Sequence, residues 1–153
     1  MVEAATPRAQ PEPQPHGIAG WLLLPALGTL VSPFLLAKGS YETGLSLFTF
    51  AIENPALKGF ITVEFLLNLG FCLGWFYALY LLARHRAQYP PLFIVLSLGI
   101  VAFSIVDTAV AHFGFGVPFE PNDLRDFLRA LIFSAIWVPY MLRSRRVRNT
   151  FVR

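Results

Sequence analysis

Seven polar residues, Glu64, Asn68, Asp107, His112, Arg125, Asp126 and Arg129, stand inside or at the rims of long apolar stretches. An ionisable side chain at the centre of a membrane helix costs about 2.5 to 3.5 kcal/mol on insertion scales, so each needs a reason. Asn68 follows Glu64 by four residues and shares its helical face. Arg125 and Arg129 have the same spacing and repel unless anions lie beside them, and Glu64, Asp107 and Asp126 are the anions available. Counted from the outer ends of their stretches, Glu64, Asp107 and Arg129 each lie about 7 to 8 Å deep, with His112 near the rim. The spacing predicts one polar cluster, open to the periplasmic side. Two chemistries fit it: an anion or lipid headgroup held by the arginines, or a proton-responsive group among the carboxylates and His112. A structural network of ion pairs that sets helix register is the reading weighed against both.

The elements that must position these residues are four apolar stretches of about the 20 residues needed to cross a bilayer core of about 30 Å. They predict spans at about 17–38, 59–83, 91–112 and 123–143. The chain is 153 residues long, 56% hydrophobic and 14% charged, against about 25% charged in soluble domains. The expected fold is an all-α membrane protein, four transmembrane helices in a bundle, with a short amphipathic helix in the first outer loop. Residues 1–16 hold four prolines without apolar periodicity and read as a disordered cytoplasmic tail, and residues 144–153 as a basic one. With its single arginine and two glutamates, the N-terminal segment is a poor basic n-region, so cleavage as a signal peptide is not expected.

The formal charge of +3 flanks the spans and forms no separate basic face, so nucleic acid is not expected as a partner. Eight cations, Arg8, Arg84, Arg86, Arg143, Arg145, Arg146, Arg148 and Arg153, fall in the tails and the middle loop. Lys38, Lys58, Arg125 and Arg129 fall on the other side, which places both termini in the cytoplasm.

Within the spans, Pro25 and Pro33 predict bends in the first, with Ser32 helping to satisfy freed carbonyls. Gly39 and Ser40 read as a helix stop and a new N-cap, and Tyr41, Leu45, Phe48 and Ile52 as the face of a separate amphipathic helix that Asn54 and Pro55 end. Gly70 with Gly74, and Ala130 with Ser134, have the small-residue spacing of close helix packing. Asn122 or Asp123 is expected to cap the fourth span and Pro139 to kink it. Cys72, the single cysteine, reads as a packing residue.

No CxxC, HExxH, Walker loop or GxSxG occurs, and His16, His85 and His112 fall in three separate places. No cofactor, metal site or catalytic residue is therefore expected, and the chain reads as no enzyme.

The opening Gly17-Ile-Ala-Gly-Trp-Leu-Leu-Leu24 with Ser32-Pro33, and the ending Ile136-Trp-Val-Pro-Tyr-Met-Leu-Arg-Ser-Arg-Arg-Val-Arg-Asn-Thr-Phe151, resemble a bacterial inner-membrane family catalogued as domain of unknown function 2569. Trp137, Pro139, Tyr140, Ser144, Arg146, Val147, Thr150 and Phe151 carry the resemblance at the ending. Ala19, where a glycine is expected, and Pro25 depart from the family pattern. The resemblance implies a four-span protein without assigned activity and supplies no catalytic residues. On physical grounds the ending anchors the chain, with Trp137 and Tyr140 at the inner interface and the arginines at anionic headgroups; a docking strip for a partner is the alternative. The function expected is that of an accessory or scaffolding component of a larger membrane assembly, with a small transport or sensing module as the alternative. The expected partners are the lipid bilayer and other membrane subunits or further copies of the chain.

Overall fold

The computed structural model of the protein describes residues 17–49, 52–119 and 121–152. The reading of residues 1–16 as a disordered tail lies outside them. A 3-10 turn, Gly20–Leu22, leads into α1, Leu23–Thr49. The other elements are α2, Pro55–Ala83; α3, Tyr89–Ala109, prolonged by a π-helical turn, Val110–Gly114; α4, Pro121–Arg143; and the short α5, Arg145–Thr150. The described residues are all helix and connection, with no strand. Among the described residues, three helices are long and apolar enough to cross a membrane: Gly20–Thr49, Pro55–Ala83 and Tyr89–Gly114. α4 has comparable length, but its first turns carry Asp123, Arg125, Asp126 and Arg129.

The expected break after the first span is absent. α1 runs without interruption from Leu23 through Gly39 and Ser40 to Thr49, so Ser40 is a buried helix-interior residue and not an N-cap. The separate amphipathic helix is therefore the last three turns of α1. Small side chains explain the continuity: Ser40 and Gly44, one turn apart, are buried, and a Cβ on Gly44 would meet the Phe65 ring of α2 at 3.0 Å. Tertiary contact outweighs the local preference of Gly39 to end a helix.

Asn54 does act as punctuation, accepting hydrogen bonds from the Ala56 and Leu57 amides at 2.9 and 3.3 Å, with Pro55 in the first position of α2. In contrast, Asn122 and Asp123 fall inside the first turn of α4, which begins at Pro121, so neither is its cap. Pro25 and Pro33 are both buried within α1. Ser32 Oγ donates to the Gly28 carbonyl at 2.7 Å, and Cys72 Sγ approaches the Pro33 carbonyl at 3.4 Å.

α1 packs on α2, α2 on α3 and α3 on α4, an antiparallel up-and-down order set by short connections. At the end where α1 and α3 begin and α2 and α4 finish, α1 also meets α4, because the Phe133 ring lies over Gly28, 2.7 Å from where a Cβ would stand. Among the described residues, the large buried apolar side chains gather toward this end: Leu22, Trp75, Leu81, Leu82, Tyr89, Phe93, Leu96, Met141, Val147 and Phe151. We call it the clasp end, and the opposite one the far end.

Candidate functional site

The far end holds the polar residues that the membrane makes expensive. Glu64, on α2, is half-buried and accepts a long hydrogen bond, 3.5 Å, from Thr43 Oγ1. Thr43 is available only because α1 continues past Gly39. The buried pair Ser40 and Gly44, spaced as small residues at a helix contact, is the sequence signal that would have found it. Asp107, on α3, is within electrostatic reach of Glu64 on one side and of Asp123 of α4 on the other. Its Oδ1 is enclosed without a hydrogen-bond partner among the described residues. Asn68 lies half-buried one turn deeper than Glu64.

The arginines do not join this group. Arg125, Asp126 and Arg129 are exposed, and no ion pair links either arginine to Glu64 or Asp107 among the described residues. Helical geometry gives the reason. Asp123 and Phe127 face α3, and at about 100° per residue Arg125 and Arg129 point about 160° to 240° around the helix from them. Depth adds to the separation. Measured from the common clasp end, Glu64 lies 20 residues from Arg84, Asp107 18 from Tyr89 and Asp123 20 from Arg143, whereas Arg129 lies only 14 from Arg143. The three carboxylates thus share a level about 27 to 30 Å from the clasp end, and Arg129 sits about 6 to 9 Å closer to that end. Depths counted from individual helix starts make them coplanar only because α4 starts later than its neighbours.

His112 occupies the π-helical turn, exposed, with its ring edge-on to Phe113 at 4.9 Å. Its Nδ1 lies 3.0 Å from the Val117 carbonyl, which only accepts, so Nδ1 carries the proton. It lines a cavity of about 420 Å³ between α3 and α4 together with Ser104, Thr108, Asp123 and Phe127. The described residues contain no group of three His, Cys, Asp or Glu side chains placed to hold a metal ion.

The packing residues divide in the same way. Gly74 meets Leu96 of α3, whose Cδ2 lies 2.7 Å from where a Cβ would stand, whereas Gly70 faces open space. Ser134 Oγ donates to the Ser97 carbonyl at 3.2 Å, tying α4 to α3, and Ala130 is half-buried one turn away.

The family-like opening and ending meet at the clasp end, which the sequence did not reveal. Ser144 caps α5, its Oγ accepting from the Val147 amide at 3.4 Å. This turns Val147, Thr150 and Phe151 inward, and all three are buried. Thr150 Oγ1 accepts from the Gly17 amide at 2.9 Å and donates to the Gly17 carbonyl at 3.4 Å, so one hydroxyl joins the two ends of the described chain. The Arg146 guanidinium lies over Gly20, 3.6 Å from where a Cβ would be. Phe151 packs on Tyr89 at 4.7 Å and on His85 at 6.3 Å, and His85 itself adopts φ 52° in the turn after α2. Tyr89 donates to Thr29 Oγ1 at 2.8 Å, since the single Thr29 hydroxyl proton already goes to the Pro25 carbonyl. From Phe133 an aromatic row continues through Trp137 to Tyr140, and Pro139 is exposed within α4. Of the family-like ending, Val147, Thr150 and Phe151 are therefore part of the wall of the core, whereas Arg143, Arg145 and Arg148 stay exposed.

The model of a family described as protein of unknown function (DUF2569) matches residues 15–152. Inner membrane protein YdgK of Escherichia coli K12 is 30% identical over 156 residues, covering 90% of this chain and 95% of that protein. No solved structure matches. The match starts just before Gly17 and ends just after Phe151, the two residues that bound the clasp, and the protein belongs to the DUF2569 family of bacterial inner-membrane proteins.

Proposed function

We propose that the protein is a non-enzymatic accessory or scaffolding subunit of a larger inner-membrane assembly, crossing the membrane four times with both termini in the cytoplasm. The observation that carries this reading is the outward stripe of α4. Arg125, Arg129, Ile132 and Ile136 follow one another along an exposed helix face. Arg129 lies about 21 Å from the clasp end of a bilayer core of about 30 Å, with no carboxylate partner among the described residues. Snorkelling toward the far headgroups brings it onto Arg125, one turn above, and not onto a counter-ion. A neighbouring helix that presents a carboxylate or carbonyls to this stripe relieves both charges, and the isoleucines below continue the contact. The test is purification at endogenous level in mild detergent. A stoichiometric membrane partner, or a second copy, should be retained by the wild type and lost from Arg125→Gln/Arg129→Gln. Recovery of the wild type as a lone chain counts against the reading.

A transport or sensing role is supported by a different observation, the cavity of about 420 Å³ that His112 and Asp123 line next to the enclosed Asp107. It requires water in that cavity. In a Cys72→Ser background, Thr108→Cys should then react in intact cells with a membrane-impermeant maleimide, and an unreactive thiol removes this alternative.

A further inference from the structure

We propose that the clasp end is a composite binding surface for the headgroup of an anionic phospholipid, built from two arginine clusters that lie far apart in the sequence. The proposal stands independently of the scaffolding role. Arg84 and Arg86 flank His85 in the turn after α2, while Arg143, Arg145, Arg146 and Arg148 lie across the end of α4 and α5. About sixty residues separate the clusters, and Phe151 brings them together by packing at once on Tyr89 and on His85, at 4.7 and 6.3 Å. Burial of Val147, Thr150 and Phe151 decides which side of α5 faces out. Arg145 and Arg148, three residues apart on a helix, are neighbours on that outer side and are exposed, as are Arg86 and Arg143.

Residues 84–92 and 143–152 contain no aspartate or glutamate, nor do residues 17–22 beside them. Six like charges are thus held together by apolar packing without a counter-charge in these segments. Such an arrangement opposes folding unless anions outside the chain neutralise it.

Exposed aromatic rings identify the source of those anions. Trp21 is 72% exposed beside Gly20, and Tyr77 and Tyr80 stack on the outer face of α2 just before the turn, with the Arg84 guanidinium over the Tyr80 ring at 5.7 Å. Such rings favour the headgroup level, which places the six arginines at the depth of lipid phosphates and not out in solvent. An arginine fork matches a phosphate oxygen pair, and several forks converging from two segments suit a headgroup held at one place. This differs from diffuse attraction to a charged surface, in which only the number of cations matters.

The experiment measures binding of fluorescent phosphatidylglycerol to the purified full chain in detergent micelles, with fluorescent phosphatidylcholine as the control. Saturable binding should favour phosphatidylglycerol by tenfold or more. Arg86→Gln and Arg145→Gln/Arg148→Gln should each weaken it about tenfold, and their combination by clearly less than the product, because either change dismantles one shared surface. Phe151→Ala retains every arginine and should weaken binding as much as the α5 pair, while Phe151→Leu should restore it. Equal binding of the two lipids overturns the proposal, and so do multiplicative effects of the two arginine sets, which report charge number alone. Should Phe151→Ala fail to fold, the arginine cycle decides by itself. A short oligonucleotide or acidic peptide that displaces the lipid at comparable concentration also overturns it, by showing a soluble partner.

Discussion

The two ends of this bundle are made from the same helices and are put together differently. At the clasp end five helices converge on rings and branched chains, Trp75, Tyr89, Phe93 and Phe151 among them, and polar groups such as Thr29, Tyr89 and Thr150 are hydrogen-bonded. At the far end, carboxylates from three helices face one another, Asp107 keeps an enclosed oxygen without a partner among the described residues, and a cavity separates α3 from α4. Within lipid, apolar surface gains little by turning inward, so close packing and satisfied hydrogen bonds have to hold helices together. The clasp end supplies the packing and most of the hydrogen bonds, although the buried Trp75 Nε1 has no partner among the described residues. The far end supplies less of each.

The comparison is broken most directly at Phe93, which is fully buried between Trp75, Tyr89 and Phe133. Phe93→Ala should cost about 3 to 5 kcal/mol in a detergent unfolding titration, whereas truncating the exposed Phe113 should cost less than about 0.5 kcal/mol. Similar losses at both positions would mean that the clasp is no core.

A smaller effect is expected at the glycines. Gly28→Ala places a methyl group 2.7 Å from the Phe133 ring and should destabilise by about 1 to 3 kcal/mol as α1 and α4 are pushed apart. Gly70→Ala meets nothing within 4 Å and should be neutral or slightly stabilising in the same assay, since alanine is the better helix former. Equal costs at the two sites would show that the glycine spacing, and not the contact, matters.

Thr29→Val removes the acceptor of the Tyr89 hydroxyl and leaves that buried group unpaired, a loss of about 1 to 3 kcal/mol in that titration. The smallest change sharpens the contrast by reversing its sign. Asp107→Asn relieves repulsion with Glu64 and Asp123 and should stabilise by up to about 1 kcal/mol, read as a rise in thermal midpoint. A clear destabilisation would instead reveal a cation or donor that holds the carboxylate in place.

Much of the fold is legible in the sequence, for reasons that can be traced to particular residues. The third helix starts at Tyr89, two residues before the expected 91, and Asn54 with Pro55, read as the end of the preceding helix, in fact opens α2 four residues before the expected 59, because proline and an Asx cap act through the local backbone alone. Gly39 misleads under the same logic, since a glycine ends a helix only where no neighbour covers the next turn, and Phe65 over Gly44 is such a neighbour. Of the candidate cluster, Glu64 and Asp107 do come within electrostatic reach, but Thr43 and Asp123 complete their surroundings in place of the expected Arg129. The reason is geometric: depth in a bundle is measured from a shared plane, and the sequence shows only where each helix starts.

What the amino-acid sequence determined by itself is the solvent: runs of apolar residues of bilayer length, their punctuation, and the arginines that flank them, all of them consequences of transfer free energy and local backbone preference. Only the tertiary structure decided which charges are neighbours and that Gly17 and Thr150, 133 residues apart, share a hydroxyl. Hydrophobicity accumulates along a chain and can be summed residue by residue, whereas a helix face, a depth and a contact exist only relative to another helix.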